Sequence, residues 1–304
     1  MYTPPSYFRG KALAALKGHW QTALLIALIV NLPTLLIQGF SAFTGNDPLV
    51  RLESVIVSAS RDGVLSEKML LDQINAFLNS ASFWTVRGLE LLAWLVTPCL
   101  SLGMYRWLIN RLKGQEEPVS IVFSRMNLFF KAIGLQLLII LKVLLWMLPG
   151  IALFGFMLFR ISQAGTAQEQ AAALQSCYSM MFPMILLTAV PAVMAALRYA
   201  LSDYIMADRP ETGIRACVRR SRELMVNQKK NLFFIAFFFL LFYLLEMLIS
   251  SFLTGVLSLL FQMLASLAIS VFLSASIAAF WMHLEDAEAK HEDPNAEPEP
   301  EQLN

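Results

Sequence analysis

Two ionisable residues lie deep inside long apolar segments of the sequence. Lys142 follows GLQLLIIL, and Glu246 follows FFFLLFYLL. A charged side chain at the centre of a bilayer costs about 2.5–3.5 kcal/mol on insertion scales, so such residues are candidates for a functional role. Three interpretations stay open at this point. Lys142 and Glu246 form a structural ion pair, or they relay protons or a substrate, or they extend to opposite interfaces.

An internal similarity places these two residues at the same depth. Segment 127–142, NLFFKAIGLQLLIILK, aligns without gaps to segment 231–246, NLFFIAFFFLLFYLLE, and seven of the sixteen positions are identical. Lys142 and Glu246 occupy the last position of each copy, about 22 Å along a helix at 1.5 Å per residue. Because the two segments run in the same direction, we expect the opposite charges to pair in the interior of the bundle.

The sequence contains no signature of a catalytic or metal site. HExxH, GxSxG, Gly-rich phosphate loops and paired-aspartate motifs are missing. The three cysteines, Cys99, Cys177 and Cys217, have no metal-ligand spacing and are expected to be small packing residues. We therefore predict a protein that is not an enzyme, with no catalytic residues, no metal and no cofactor.

The elements that must position Lys142 and Glu246 are long apolar segments. The chain is 57% hydrophobic and only 15% charged, whereas soluble domains carry about 25% charged residues. Each segment reaches the roughly 20 residues that cross a bilayer core. The sequence predicts an all-α membrane protein with six transmembrane helices, at about 20–43, 84–108, 132–159, 178–204, 231–252 and 256–283.

The basic residues predict the orientation. Of the 23 Lys and Arg residues, 17 fall before the first span, in the second and fourth connections or in the tail, and five fall on the opposite side. Since cytoplasmic loops are enriched in Lys and Arg, we expect both termini to be cytoplasmic. The predicted location is the bacterial inner membrane.

The basic segment 208–227 directly precedes the fifth span. Asp208 could cap a helix whose first turn contains Pro210, with apolar residues at helical spacing. This pattern predicts an interfacial helix with its apolar face among acyl chains and its basic face among anionic headgroups. A nucleic-acid partner is not expected, because the apolar face would stay uncovered. The predicted lipid contacts are Arg215, Arg219, Arg220, Arg222, Lys229 and Lys230.

Two further sets of residues complete the expected organisation. Arg198, Tyr199 and Asp203, at the end of the fourth span, are predicted to anchor it at the interface. Residues 1–284 would form the membrane domain, built from three repeats of an interfacial helix plus a helical hairpin. The outer loop 44–83 is expected to contain two short helices. The tail 285–304 is predicted to be disordered and solvated, with a clasp onto the basic loops as the alternative.

Several stretches of the sequence are similar to a bacterial membrane family. These are LKGHWQTALLIAL, LGMYRWLINRLKGQ, LWMLPGI and RYALSDYIMADRPETGIRACVRRSRELM. The chain resembles the family catalogued as domain of unknown function 975, outside 44–83, 160–178 and the acidic tail. Where the family usually has a glycine after Glu-Leu-Met, this sequence has Val226-Asn227. The resemblance implies a multi-span inner-membrane protein and supplies no reaction.

Together these observations favour a non-enzymatic membrane protein that acts through lipid or protein partners. The alternative is a small repeat-built transporter, with Lys142 and Glu246 at mid-membrane. A transporter requires a polar path through the bundle, and the spans offer few polar residues besides these two, Gln136 and Gln262.

Overall fold

The structure is a computed structural model of the chain, and it describes residues 3–44, 75, 79, 81–163 and 165–292. Every regular element in these ranges is helical, and they contain no strand. The predicted all-α class is confirmed. The two short helices predicted in the outer loop 44–83 fall almost entirely outside the described residues.

Long helices alternate with short ones along the chain. A 3-10 segment, Val119–Leu128, lies between the third and fourth helices. The helices are α1 Pro5–Leu16, α2 Trp20–Thr44, α3 Ala81–Leu112, α4 Phe129–Ser162, α5 Ala167–Tyr199, α6 Ser202–Asp208, α7 Ile214–Leu224, α8 Lys229–Phe252 and α9 Gly255–Glu292.

Six of the described helices are long and apolar enough to cross a membrane, as predicted. They pack as three antiparallel hairpins of consecutive helices, α2 with α3, α4 with α5, and α8 with α9. A short segment precedes each hairpin, in the order that the predicted repeat requires. The second of these segments is a 3-10 helix rather than an α-helix, and the repeat itself stays a prediction.

The long helices exceed the thickness of a bilayer core. Helix α4 has 34 residues and α9 has 38. At 1.5 Å per residue these lengths are about 51 and 57 Å, whereas the hydrocarbon core is about 30 Å thick. Each helix therefore has several turns that project beyond the membrane.

The projecting turns form what we call the basal layer. Here α1, the 3-10 segment, α6 and α7 pack against the last turns of α3 and α9 and the first turns of α4 and α8. Both ends of the described chain lie in this layer, since the Thr3 hydroxyl is 3.2 Å from Nε2 of His283. Much of the hydrophobic core lies here, including Trp107, Ile205 and Phe280, each at most 2% exposed.

The middle of the spans is packed much less densely. Along α4, Leu141, Leu145, Leu148 and Phe156 are each more than half exposed. The contrast follows from the different surroundings of the basal layer and of the spans. Water drives apolar surface inward in the basal layer, whereas lipid tails are as apolar as these side chains and leave them facing outward.

Helix α5 ends earlier than the predicted span 178–204. It stops at Tyr199, and the chain resumes as α6 after a two-residue break. Ser221 of α7 bridges the break, because its hydroxyl accepts a hydrogen bond from the Leu201 amide at 3.2 Å and donates one to the Arg198 carbonyl at 3.1 Å. These two bonds satisfy backbone groups that the break frees.

The start of the tail is helical rather than disordered. Helix α9 continues to Glu292, so residues 285–292 correct the predicted disorder of 285–304. The physical reason is that Glu285 and Glu288 pair with arginines of the preceding connection. Residues 293–304 lie outside the described residues.

Candidate functional site

The structure does not bring Lys142 and Glu246 together. Lys142 is half-buried, and its Nζ lies 5.8 Å from the centre of the Tyr199 ring. Glu246 is 8% exposed, on α8. The ion pairs of the described residues include neither side chain, which corrects the predicted Lys142–Glu246 pair.

The separation follows from helix packing. Lys142 belongs to the α4–α5 hairpin and Glu246 to the α8–α9 hairpin, and each helix packs chiefly against its own hairpin partner. Lys142 therefore faces the end of α5. Of the three interpretations, the relay and the extension to opposite interfaces stay predictions.

Of the three residues predicted as an interfacial anchor, one is part of the protein interior and two are partly exposed. Tyr199 is 6% exposed and lies beneath Lys142. The Arg198 guanidinium lies 6.0 Å from the centre of the Trp146 ring rather than against Asp203. Asp203 instead accepts a hydrogen bond from the amide nitrogen of Gln136, 3.3 Å from either oxygen. Tyr199 therefore packs inside the protein rather than anchoring at the interface, whereas an anchoring role for Arg198 and Asp203 stays a prediction.

Aromatic side chains surround this corner. The rings of Tyr105 on α3 and Tyr204 on α6 lie 4.4 Å apart. The Tyr204 hydroxyl donates a hydrogen bond to the Ser274 carbonyl of α9 at 3.1 Å. The corner therefore joins three of the long helices, which is a structural role. Sequence reasoning missed Tyr105 and the contact between Gln136 and Asp203, because neither Tyr105 nor Gln136 is adjacent to the corner in the chain.

Helix α7 begins later than predicted. Gly213 occupies the position before its first turn, with no side-chain cap. Asp208 is the last residue of α6, and its carboxylate forms ion pairs with Arg106 at 2.6 Å and Lys113 at 3.4 Å instead of capping α7. An ion pair to a residue 102 positions away has no local sequence signal. For this reason the predicted cap at Asp208 is wrong.

The apolar face of α7 is buried in the protein. Cys217, Val218, Ser221 and Leu224 are all inaccessible or nearly so, and α7 packs against α4, α5 and α6. This corrects the predicted burial of that face among acyl chains. Burial raises the pKa of the Cys217 thiol to about 11, and nearby Asp203 adds to the effect. The thiol therefore stays neutral at physiological pH, consistent with its predicted packing role.

The six predicted lipid contacts, on α7 and at the start of α8, divide into paired and unpaired residues. Arg220 binds Glu288 at 2.7 Å and Glu285 at 3.4 Å, and Arg219 lies 3.9 Å from Glu223. Arg215, Arg222 and Lys230 are exposed, and Lys229 is half-buried. Across the described residues, none of these last four side chains forms an ion pair.

The acidic end of α9 neutralises part of the basic connection. Glu285 is bound by Arg209 at 2.6 Å as well as by Arg220. The clasp that the sequence offered as an alternative role for the tail is thus present for Glu285 and Glu288. Within the described ranges, no cluster of His, Cys, Asp and Glu could hold a metal ion.

A family model matches almost the whole chain. It covers residues 3–288 and is described as Protein of unknown function (DUF975). The chain belongs to this DUF975 family. The match runs through 44–83 and 160–178, which the sequence resemblance had excluded. No curated protein matches the chain. No solved structure matches it either.

The structure explains the most specific stretch of the DUF975 resemblance. RYALSDYIMAD is the buried α5–α6 corner, in which Leu201, Tyr204 and Met206 are at most 3% exposed. At the end of α7, Asn227 has a φ of 63°, in the left-handed region. Glycine is the usual residue for that conformation, and asparagine is the next most tolerant. This accounts for asparagine at position 227.

Proposed function

We propose that the protein is a non-enzymatic, multi-pass protein of the bacterial inner membrane that acts by associating with anionic phospholipid at its cytoplasmic face. The basal layer would be that face, in agreement with the 17 basic residues on the predicted cytoplasmic side.

One observation carries the proposal. Arg215, Arg222 and Lys230 are exposed and unpaired among the described residues, although acidic residues neutralise their neighbour Arg220. These cations lie in the basal layer, where the six long helices leave the membrane. Each basic residue near an anionic leaflet contributes about 1 kcal/mol of attraction.

The transporter alternative gains no support from the contacts of Lys142 and Glu246. Lys142 lies against an aromatic ring, and Glu246 lies in another hairpin. A transporter that uses these two residues would need a polar path that joins Lys142 to Glu246.

The proposal is tested by lipid selectivity in bilayers. The full chain is reconstituted in phosphatidylcholine with spin-labelled phosphatidylglycerol or phosphatidylcholine, and the motionally restricted fraction of each label is measured. We expect a preference for phosphatidylglycerol that weakens with salt. The double change Arg215→Gln/Arg222→Gln should reduce that preference.

The control makes the same charge change at the opposite end of the bundle. Arg87→Gln/Arg160→Gln removes two cations near the start of α3 and the end of α4. This variant should keep the preference. Equal restriction of both lipids by the unmodified protein would refute the proposal.

A further inference from the structure

A groove runs between α5 and α8 on the outside of the bundle. Its volume is about 1080 Å3, just above the roughly 300–1,000 Å3 typical of ligand pockets. Both walls belong to helices that could span a membrane. The groove therefore opens toward lipid.

The walls of the groove are apolar. Val190, Val193 and Met194 form the α5 side, and Phe233 and Phe234 form the α8 side. Each of the five is between 42% and 54% exposed, so the protein itself leaves them uncovered. Pro191 lies within this part of α5 and cannot donate the helical hydrogen bond to the Leu187 carbonyl.

One end of the groove is basic. Lys229, Lys230 and Asn227 line this end. Asn227 has a left-handed conformation in the turn between α7 and α8, and α8 begins two residues later, at Lys229. In the described part of the chain neither lysine has an acidic partner. The start of α8 lacks a side-chain cap, and its dipole adds partial positive charge at the same end.

We infer that this groove is a binding site for one anionic phospholipid. The acyl chain lies between the apolar walls, and the headgroup phosphate lies against Lys229 and Lys230 at the basal layer. The polarity of the groove matches that of a phospholipid in the leaflet on the basal side. The inference rests on the proposed function, and it adds a defined site to what would otherwise be a diffuse attraction.

Native mass spectrometry of the full, delipidated chain in neutral detergent tests the site. The protein is titrated with phosphatidylglycerol or phosphatidylcholine, and the first bound lipid is quantified. We expect a first phosphatidylglycerol to bind more tightly than phosphatidylcholine. Lys229→Gln/Lys230→Gln should remove this difference in affinity. Each lysine is expected to contribute about fivefold to the affinity for phosphatidylglycerol, if each supplies the usual surface attraction.

A second variant tests the apolar part of the groove. Val193→Trp, on the exposed side of α5, should fill the groove and weaken the first binding of both lipids. The matched control is Arg87→Gln/Arg160→Gln, which removes two charges at the opposite end of the bundle and should leave the first binding unchanged.

The outcomes separate the two proposals. Arg215→Gln/Arg222→Gln, which changes the proposed lipid-binding surface outside the groove, is compared with Lys229→Gln/Lys230→Gln. If both variants weaken the first binding equally, the attraction is diffuse, and the groove is overturned while the proposed function stands. Unchanged binding in Val193→Trp would also overturn the groove. If the unmodified protein never prefers phosphatidylglycerol, in detergent or in bilayers, both proposals are wrong.

Discussion

At the scale of single residues, one glycine determines how closely two elements approach. Gly103 of α3 faces the backbone of Val122 in the 3-10 segment, and a Cβ at position 103 would overlap the Val122 carbonyl. Backbone atoms cannot move aside as the end of a flexible side chain can. Gly103 belongs to LGMYRWLINRLKGQ, one of the stretches that resemble DUF975, so packing is a sufficient reason for that glycine.

We predict that Gly103→Ala destabilises the protein by about 1–3 kcal/mol, the usual cost of overpacking. Gly88 lies in the same helix, and a Cβ added there would have no atom of another described residue within 4 Å, apart from its own helical backbone and chain neighbours. Gly88→Ala should therefore be neutral or stabilise by up to about 1 kcal/mol, from helix propensity alone. Chemical unfolding of both variants in detergent measures the difference. Equal effects would show that the contact with Val122 does not limit stability.

The positions of Lys142 and Glu246 lead to a second prediction at this scale. Because they lie in separate hairpins, the effects of Lys142→Leu and Glu246→Leu on unfolding free energy should be additive within about 0.3–0.5 kcal/mol. Thermal unfolding of the two single variants and the double variant tests this.

A double-mutant cycle on Arg220→Gln and Glu288→Gln, which compares the two single variants with the double variant, provides the positive control, since these side chains are 2.7 Å apart. That cycle should be non-additive. A clear coupling between Lys142 and Glu246 would mean that the two residues meet in the membrane.

At the scale of elements, helix α7 is fixed from both sides. Its apolar face is buried by α4, α5 and α6, and Arg220 on its other side is held by Glu285 and Glu288 of α9. An isolated amphipathic helix would instead place its apolar face among lipids. Burial of that face leaves the unpaired cations at the surface, where they can meet headgroups.

We predict that Glu285→Gln/Glu288→Gln lowers stability by about 1 kcal/mol, after allowance for solvent screening of partly exposed pairs. The Arg220 side chain is 29% exposed and Glu285 is 13% exposed. Glu223→Gln is the control, because its pair with Arg219 spans 3.9 Å and both side chains are largely exposed. Unfolding in detergent at low and high salt measures the loss of stability in the double variant and in the control. A loss in Glu223→Gln as large as in the double variant would contradict this assignment.

At the scale of the whole molecule, the fold has two parts with different physical environments. The basal layer buries its apolar surface as a soluble protein does. The outer part of the spans leaves large apolar side chains exposed. Both described chain ends lie in the basal layer, where α1 packs against the end of α9.

We predict that reporters fused before Met1 and after Asn304 report the same compartment. On the proposed orientation, a reporter active only outside the cytoplasm should be inactive at both ends. The same reporter inserted in the connection between α4 and α5 should be active. Opposite results at the two termini would contradict an even number of spans, and activity at both would invert the orientation.

The sequence by itself determined the helical class, the six long apolar helices and their order. These features depend on composition and length within each segment, which need no partner to be recognised. It also singled out the cations around α7, because a basic face beside a span is a local pattern.

Only the tertiary structure decided which charged residues meet. Asp208 joins Arg106 and Lys113 rather than capping α7, and Lys142 lies against Tyr199 rather than Glu246. Such contacts depend on the rotation of each helix and on how far it projects into the basal layer. Neither quantity is encoded in local periodicity. The groove between α5 and α8 arises in the same way, from the packing of helices that are distant in the chain.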